Sequence, residues 1–443
     1  MTVVVKFKTG IVIFFAMIAY TVNINCQGIN FLNPKQKEII IDSISYYLNF
    51  NYVFPEVAEE MENKIRENYY SGVYDSIDIF EEFLLVLHQD LRSVCQDGHL
   101  GVDVMERRPP WANEEEQDQE LYEMYLNRMR MENYGFEKLE HLPGNIGYLK
   151  LNEFCDAAYG GETAVAAMNF MANCDGIIID LRENGGGDAG MIKLISSYLF
   201  ENAVHLNTFY ERPTDNYDES WTFSYVPGKK IVDVPVWVLT SRRTFSAAEE
   251  FTYNLQCLNR ATIVGDTTGG GAHPVFRQDI PDLNIFIVIP YARAINPVTN
   301  SNWEQVGIIP DICISQEKAL DCAYQLALNY IVENSTDQDQ INTAEWYLQG
   351  LQTLDNPVYL DSVDLNGYIG QYGPRKIFLE NNRLIYQREN RLAYPLIPMG
   401  DDQFMLEGNE DFRIKFQRDS QGEVNALMGI YISGHSDKNM RTD

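Results

Sequence analysis

A serine at the junction of a predicted strand and a predicted helix is the residue best placed to do chemistry in this chain. The apolar run from Pro235 to Leu239 predicts a buried strand, and the segment from Ala247 to Leu258 predicts a helix. Ser246 lies between them, where its hydroxyl is lifted out of the sheet and the next N–H faces the atom that the oxygen would attack. This placement is typical of a nucleophile. Helix N-caps are also often serine, so the junction alone leaves both roles open.

A serine nucleophile needs a general base, and the base needs an acid that orients it. The chain has six histidines, and two of them stand in glycine-rich segments. His99 lies in an Asp-Gly-His-Leu-Gly segment, and His273 follows a Gly-Gly-Gly-Ala run. Glycines allow close approach of the backbone and place such rings at the edge of a loop. From the residues alone, either histidine is a candidate for the base.

A triple glycine, Gly185 to Gly187, follows a second predicted buried strand that ends near Asp180. Glycines at the end of a strand expose backbone N–H groups to an anion, so this loop could cradle a phosphate or form an oxyanion hole. It is not a P-loop, because no Gly-Lys-Ser/Thr sequence follows. The flanking Asp180 and Arg182 could equally well form an ion pair that only shapes the loop, without a role in anion binding.

Size and charge restrict the function classes. The chain has 443 residues, of which 45% are hydrophobic, so two or three domains with a sizeable core are expected. The formal net charge is −30. A surface of this sign repels nucleic acid phosphates and anionic lipid headgroups, so no nucleic acid partner is expected.

The first 26 residues predict export. Two lysines precede an apolar stretch, Ile11 to Ala19. This stretch is shorter than a membrane-spanning helix requires and is typical of a cleaved signal peptide. A lipid anchor at Cys26 is the alternative, and no later segment is apolar enough to cross a bilayer. We therefore expect a periplasmic or extracellular protein. The seven cysteines form no C-x-x-C pair, and neither a metal site nor a cofactor is expected.

The pattern along the chain predicts five segments. Residues 1–26 are the signal peptide, and residues 27–94 form an N-terminal helical cap of three helices. Strands then alternate with helices over residues 95–316, which predicts an α/β core. Residues 317–355 form a helical linker, and short strands with turns over residues 356–443 predict a small all-β accessory domain.

Five ordered blocks together resemble the tail-specific (C-terminal processing) serine protease family. They are similar to its branch that includes interphotoreceptor retinoid-binding protein and the core of tricorn protease. The resemblance covers residues 95 to 315 and the helical cap. The blocks are Gly144–Leu149, Asp180–Gly187, Thr240–Glu250, Val264–Pro274 and Trp303–Ile312.

The resemblance implies roles for individual residues. Ser246 matches the family nucleophile. Processing proteases use a lysine base, but Gly271 occupies the lysine position here, so a Ser–Lys dyad is absent. Tricorn-like members use a histidine and a glutamate instead, which match His99 and Glu304. The resemblance thus implies a catalytic triad of Ser246, His99 and Glu304, and a neutral histidine base predicts activity that rises between about pH 6 and 7.5.

The resemblance also implies an oxyanion hole and a fold. Gly186 and the N–H of Ala247 match the oxyanion donors, and the core is expected to be a ClpP/crotonase-like spiral of ββα units. About 40 residues separate His99 from Gly144, too few for the substrate-binding PDZ module of many members.

The sequence therefore predicts a serine peptidase that acts on peptides or unfolded protein segments. Two alternatives remain open at this stage. Retinoid-binding relatives imply a non-catalytic binding protein for hydrophobic ligands on the same fold, and the same triad would also serve an esterase-type acyl hydrolase.

Overall fold

The structure is a computed structural model that describes residues 31–105 and 114–442. The predicted signal peptide and Cys26 lie outside the described residues. Within the described part, no helix combines the length and apolar character that a bilayer span requires. The six cysteines of that part are all free thiols.

The chain divides into two compact units. Of the described residues, 321–442 together with 142–146 form one unit, and the remaining ones form the other. Each unit has its own hydrophobic core. The segment predicted as a linker, 317–355, is divided between the units, with most of it grouped with the C-terminal strands. The five segment boundaries given above stay predictions.

Three helices open the first unit, as the sequence predicts. Asn33 starts the first one with a capping box: its side chain accepts from the Gln36 N–H (3.0 Å), and the Gln36 side chain accepts from the Asn33 N–H (2.9 Å). The apolar faces of the three helices pack around one cluster that includes Ile44, Leu48 and Phe83. The helices are α1 (Pro34–Asn51), α2 (Pro55–Tyr70) and α3 (Phe80–Val94).

Strands and helices alternate after α3. The helices are α4 (Glu114–Met131), α5 (Ala157–Met171), α6 (Ala189–Tyr198) and α7 (Ala247–Cys257). The strands are β1 (Gly101–Val104), β2 (Phe136–Leu142), β3 (Ile146–Leu151), β4 (Gly176–Asp180), β5 (His205–Glu211), β6 (Asn216–Trp221), β7 (Val236–Thr240), β8 (Thr262–Gly265), β9 (Val275–Ile280), β10 (Ile285–Pro290), β11 (Ala292–Ile295) and β12 (Ile312–Cys313).

The strands form one large sheet and two small ones. The large sheet has the order β12-β8-β7-β4-β3-β2, and the small sheets have the orders β1-β10-β9 and β11-β5-β6. Strands β4, β7, β8 and β12 run parallel, and every residue of β4 and β7 is buried, as expected for the centre of a parallel sheet. Because the carboxyl ends of parallel strands meet at one edge, the loops after β4 and β7 lie side by side.

The start of one helix in this unit differs from the sequence pattern. The sequence pattern predicts a helix over Thr163–Ala172. Helix α5 begins six residues earlier, at Ala157, because Asp156 caps it by accepting from the Ala158 N–H (2.8 Å). A pair of glycines in its first turns hides the helical period in the sequence. The apolar run Ile285–Ile289 predicts a strand, and this prediction is confirmed by β10, which lies in the small sheet between β1 and β9.

The second unit carries helices and an all-β sheet. Its eight strands pair antiparallel in chain order. The pair Asn381-Asn382 predicts a hairpin turn, which is confirmed, since Glu380 pairs with Arg383 and both asparagines have positive φ (49° and 60°). The helices are α8 (Ala319–Asn334), α9 (Gln338–Asp355) and α10 (Ser362–Tyr368). The strands are β13 (Gly370–Tyr372), β14 (Arg375–Glu380), β15 (Arg383–Arg388), β16 (Ala393–Gly400), β17 (Gln403–Leu406), β18 (Asn409–Arg418), β19 (Val424–Tyr431) and β20 (Ser436–Met440).

The predicted fold class is confirmed: an α/β core follows an N-terminal helical region, and an all-β sheet closes the chain. The part of this fold that positions chemistry is the carboxyl edge of β4 and β7, where the triple-glycine loop meets the Ser246 turn.

Candidate active site

Ser246 ends the turn between β7 and α7, as the sequence predicts. Its backbone has φ 53° and ψ −121°, a positive-φ conformation that costs a residue with a Cβ on the order of 1–3 kcal/mol. Two bonds to the loop after β4 hold the turn in place. The Thr244 hydroxyl donates to the Leu181 carbonyl (2.8 Å), and the Phe245 N–H donates to the Asn184 carbonyl (3.1 Å). The surrounding structure thus keeps the serine in a strained geometry.

Gly186 lies directly against this turn. A Cβ on Gly186 would stand 2.9 Å from the Cβ of Ser246 and 3.1 Å from the nitrogen of Ala247, and its φ of 118° also favours glycine. Ala247 is the first residue of α7, so its N–H has no partner within the helix. The Gly186 N–H donates to the side-chain oxygen of Asn184 (2.9 Å). The structure therefore brings Ser246, Gly186 and Ala247 together, with one of the two expected oxyanion donors bonded to Asn184.

His99 lies beside the same turn. Its ring centroid is 4.6 Å from that of Phe245, the residue before Ser246, and its backbone N–H donates to Asp97 Oδ1 (2.9 Å). Burial lowers the pKa of His99 to about 4; the charge of Asp97 opposes this shift, and that of His273 adds to it. The imidazole is therefore neutral at pH 7, which is the state that a general base requires.

Glu304 contacts His273. Its Oε2 accepts from the Ala272 N–H (2.6 Å) and stands 3.5 Å from Nδ1 of His273, while its Oε1 is buried without a hydrogen-bond partner among the described residues. Burial raises the pKa of Glu304 to about 7; the charge of His273 opposes this shift, and that of Asp97 adds to it. The acid expected beside His99 is thus in direct contact with the other candidate histidine.

Asp97 connects the two histidines. Its Oδ2 is 2.6 Å from Nδ1 of His273, and its Oδ1 holds the backbone of His99. Burial raises the pKa of Asp97, but the hydrogen bond to His273, the charge of His273 and the bond from His99 outweigh burial and leave the pKa below its ordinary value. Tyr52 donates a longer bond to the same carboxylate (3.4 Å). An ionised carboxylate therefore lies within the buried cluster that His99, His273 and Glu304 share.

Three members of this cluster have the side-chain types that hold metal ions. One atom each of Asp97, His273 and Glu304 lies within 4.8 Å of the others, and nitrogen and carboxylate ligands suit Zn²⁺. The His273–Asp97 separation of 2.6 Å is that of a hydrogen bond. The expected absence of a metal and of a cofactor stays a prediction.

Glu249 fastens the Ser246 turn to a second loop. Its carboxylate accepts from the N–H groups of Ser246 (3.0 Å), Gly270 (2.7 Å) and Gly271 (2.8 Å), and from the hydroxyl of Thr268. Burial raises the pKa of Glu249, and these four bonds oppose the shift. One side chain thus sets the spacing between the nucleophile turn and the glycine loop that leads to His273.

Two family models match this chain. The model described as "Peptidase family S41" matches residues 145–314, and the model described as "N-terminal domain of Peptidase_S41 in eukaryotic IRBP" matches residues 27–136. Together the two models match more than half of the chain. The chain belongs to peptidase family S41. The predicted recognition of a tail-specific protease family is confirmed.

Individual proteins similar to this S41 chain include a carboxyl-terminal-processing protease of Picosynechococcus sp. (strain ATCC 27264 / PCC 7002 / PR-6), with 26% identity over 45% of this chain and 48% of that protein. The tricorn protease of Thermoplasma volcanium has 25% identity over 39% of this chain and 15% of its own length. A solved photosystem II D1 C-terminal processing protease has 15% identity and a TM-score of 0.40, over 63% of this chain and 94% of that one. The chain spans about half the length, or less, of the curated relatives that it matches.

The sequence did not identify two residues of the candidate active site, Asp97 and Glu249. Asp97 stands in the same segment as His99, but nothing in the segment showed that it would bond His273. Glu249 follows Ser246 by three residues, and this S-x-x-E spacing is the signature of a capping box. The capping box was the available signal, because such a glutamate bonds the N–H of the serine.

Proposed function

We propose that this S41 chain is an exported serine peptidase that cleaves peptide bonds with Ser246 as its nucleophile. The observation that carries the proposal is the meeting of two loops at the carboxyl edge of the sheet. The strained Ser246 turn stands against Gly186 so closely that a Cβ there would lie 2.9 Å from the serine Cβ. Strain held in this way is common at catalytic residues, because it fixes the geometry of the reacting atom.

His99 is proposed as the base. It is neutral at pH 7 because burial lowers its pKa to about 4, and it packs against the residue before Ser246. It would take the Ser246 hydroxyl proton as the oxygen attacks the carbonyl carbon, and then give that proton to the departing amine. The buried imidazolium formed in between needs negative charge nearby, which Asp97 and Glu304 supply.

The oxygen that becomes negative in the tetrahedral intermediate needs N–H donors. The N–H of Ala247 at the start of α7 is proposed as the first donor. Gly186 would supply the second after its N–H exchanges the Asn184 side-chain oxygen for the substrate oxygen. Loss of one such donor typically costs about 3 kcal/mol in the transition state.

The substrates are proposed to be peptides or unfolded protein segments. Such a site must bind its substrate as an extended chain, because the scissile carbonyl has to reach Ser246. This serine lies partly buried at the edge of the sheet. The proposed export is based on the residue pattern of the first 26 residues.

Parallel hydrolysis assays test the proposed function. The purified full chain is assayed on unfolded casein and on p-nitrophenyl esters, as wild type, as Ser246→Ala and as Ser301→Ala, an exposed serine that serves as the matched control. We expect casein cleavage by wild type and by the Ser301 variant and none by the Ser246 variant. Ester cleavage alone would favour a general acyl hydrolase, and retained casein cleavage by Ser246→Ala would contradict the proposal.

A further inference from the structure

Arg293 lies in an aromatic row on the small sheet of β11, β5 and β6. It pairs directly with Tyr210 of β5, which pairs with Tyr217 of β6, so the three side chains share one face. The guanidinium carbon of Arg293 is 5.3 Å from the ring centroid of Tyr210, and the two tyrosine rings are 5.0 Å apart. Ala292 and Ala294 on either side point into the core. Arg293 therefore projects away from the core, with its guanidinium held against an aromatic face.

Within residues 31–105 and 114–442, no carboxylate pairs with this guanidinium. The contacts of Arg293 among the described residues are with aromatic rings, and its Nε is buried without a hydrogen-bond acceptor. Arg277 differs from Arg293, since it stacks on Phe286 (3.7 Å) and also pairs with Asp279 (2.6 Å). A bound carboxylate would supply the acceptor that this guanidinium lacks among the described residues.

Phe54 joins Arg293 to the active site. Its ring contacts the His273 ring edge-on (centroids 5.6 Å apart), and the guanidinium of Arg293 lies 5.9 Å from its centroid. These two contacts place the guanidinium within about 12 Å of the His273 ring, the reach of three to four extended residues.

The backbone around Phe54 is fixed from both sides. The Val53 N–H donates to the Pro290 carbonyl (2.9 Å), and Arg212 donates to the Asn49 carbonyl (2.6 Å). The Tyr291 N–H donates to the Pro274 carbonyl (3.0 Å), which ties the start of β11 to the residue after His273. The distance between Arg293 and the cluster of His99, His273 and Glu304 is therefore set by the fold.

We propose that Arg293 binds a carboxylate of the peptide substrate, a few residues from the scissile bond; this inference rests on the proposed function. A guanidinium offers a planar fork of N–H donors that matches a carboxylate, and such charge-assisted bonds are the strong ones. The net negative charge of the rest of the chain disfavours acidic peptides elsewhere, which makes this position selective. The carboxylate comes either from an Asp or Glu side chain or from the free C-terminus of the peptide.

The test measures peptide binding and uses the full chain with Ser246→Ala, so that bound peptide is not consumed. The probes are fluorescein-labelled octapeptides of Ala and Leu, in which one Glu or one Gln moves through the positions and the C-terminus is a carboxylate or an amide. Fluorescence anisotropy gives Kd for the parent, for Arg293→Gln and for the matched control Arg277→Gln, a stacked arginine that already has an acid partner. Circular dichroism confirms that all three are folded.

We expect at least one carboxylate peptide to bind about tenfold or more tightly than its neutral counterpart, as a charged hydrogen bond allows. Arg293→Gln should remove this preference, and Arg277→Gln should keep it. A preference for Glu over Gln assigns a side chain, and a preference for the free terminus over the amide assigns the C-terminus. Equal binding of charged and neutral peptides, a preference that survives Arg293→Gln, or no binding of any probe would overturn the inference.

A parallel measurement separates this inference from the proposed function. Labelling of wild-type chain by a fluorophosphonate reports the nucleophile and does not need the carboxylate site. Labelling without an Arg293-dependent preference defeats the inference alone. An Arg293-dependent preference without labelling defeats the proposed catalysis and leaves a carboxylate-binding surface.

Discussion

The Cβ that Gly271 lacks would stand 2.7 Å from Cε1 of His99 and would overlap the ring of Phe245. The resemblance to processing proteases matches Gly271 to the position at which those proteases carry lysine. In this chain the space next to that position is filled by the His99 and Phe245 rings. His99 therefore fits beside the nucleophile turn only because position 271 has no side chain.

Gly271→Ala should reduce the reactivity of Ser246 by a factor on the order of 100, since displacing a catalytic group by about 1 Å has effects of that size. The added methyl must push the His99 or Phe245 ring away from its position. The measurement is the rate of fluorophosphonate labelling, with circular dichroism to confirm the fold. Gly367→Ala, where a Cβ meets nothing within 4 Å, is the control; equal rates for both variants would contradict the steric argument.

The value of kcat/KM should increase as the pH rises through about 7, because Glu304 ionises in that range. Burial raises the pKa of Glu304 to about 7, so its negative charge, which stabilises an imidazolium in the cluster, appears only above that pH. Burial lowers the pKa of His99 to about 4, so this histidine is already neutral at pH 6, and the rise expected from an ordinary histidine is not its own.

Glu304→Gln tests this assignment. It should remove the rise near pH 7 and lower kcat at pH 8 about tenfold or more, since the imidazolium loses a nearby negative charge and each pKa unit of lost stabilisation is a factor of ten. Glu304→Asp should restore the rise. A rise near pH 7 that persists in Glu304→Gln would show that another group titrates there.

Glu249→Gln should lower the free energy of unfolding by about 2–4 kcal/mol. The glutamate accepts four bonds, three of them from backbone N–H groups that have fixed positions. A glutamine amide places donor hydrogens against some of these donors. Urea unfolding at pH 7 measures the loss, and Glu59→Gln on the exposed face of α2 is the control. A change as small as that of the control would show that the glutamate does not hold the two loops together.

The buried Glu250 should make the free energy of unfolding fall as the pH rises, whereas an ion-paired surface acid makes it rise. Burial raises the pKa of Glu250 to about 7, with the amides of Asn207 and Asn254 opposing the shift. A raised carboxyl pKa stabilises the folded state fully below the unfolded value of 4.5, and the contribution disappears as the pH rises through about 7. The lost contribution is about 3 kcal/mol.

Glu250→Gln should therefore gain stability relative to wild type as the pH rises from 4.5 to 7.5. Urea unfolding of both proteins at a series of pH values gives the difference, which we expect to increase by about 3 kcal/mol across this range. A difference that does not vary with pH would mean that Glu250 ionises in the folded protein as it does in the unfolded chain.

The sequence predicted local features of the site better than its contacts. The position of Ser246 follows from the strand and helix on either side, and the approach of Gly186 follows from the rule that carboxyl ends of parallel strands share an edge. Asp97 and His273 are 176 residues apart, and their contact depends on how α3 and the β9–β10 hairpin pack. No spacing in the sequence encodes such a contact, so the pairing of Glu304 with His273 was not foreseen.

The small sheets were hidden for a similar reason. Strand β5 is partly buried, strand β6 is mostly exposed, and both carry mixed polar and aromatic residues, so their pattern has no clear period. Strand β11 has four residues and is identified only by its pairing with β5. The face that holds Arg293 therefore arises from strand pairing, which the pattern of a single segment does not show.

The most direct measurement of the central claim is the site of covalent modification by a fluorophosphonate. The folded full chain is treated with the probe, digested, and analysed by tandem mass spectrometry. We predict one phosphonylated residue, Ser246, and no modification after heat unfolding or in Ser246→Ala. An unmodified Ser246 in folded protein, or a probe attached to another residue while Ser246 stays free, would contradict the assignment of this serine as the nucleophile.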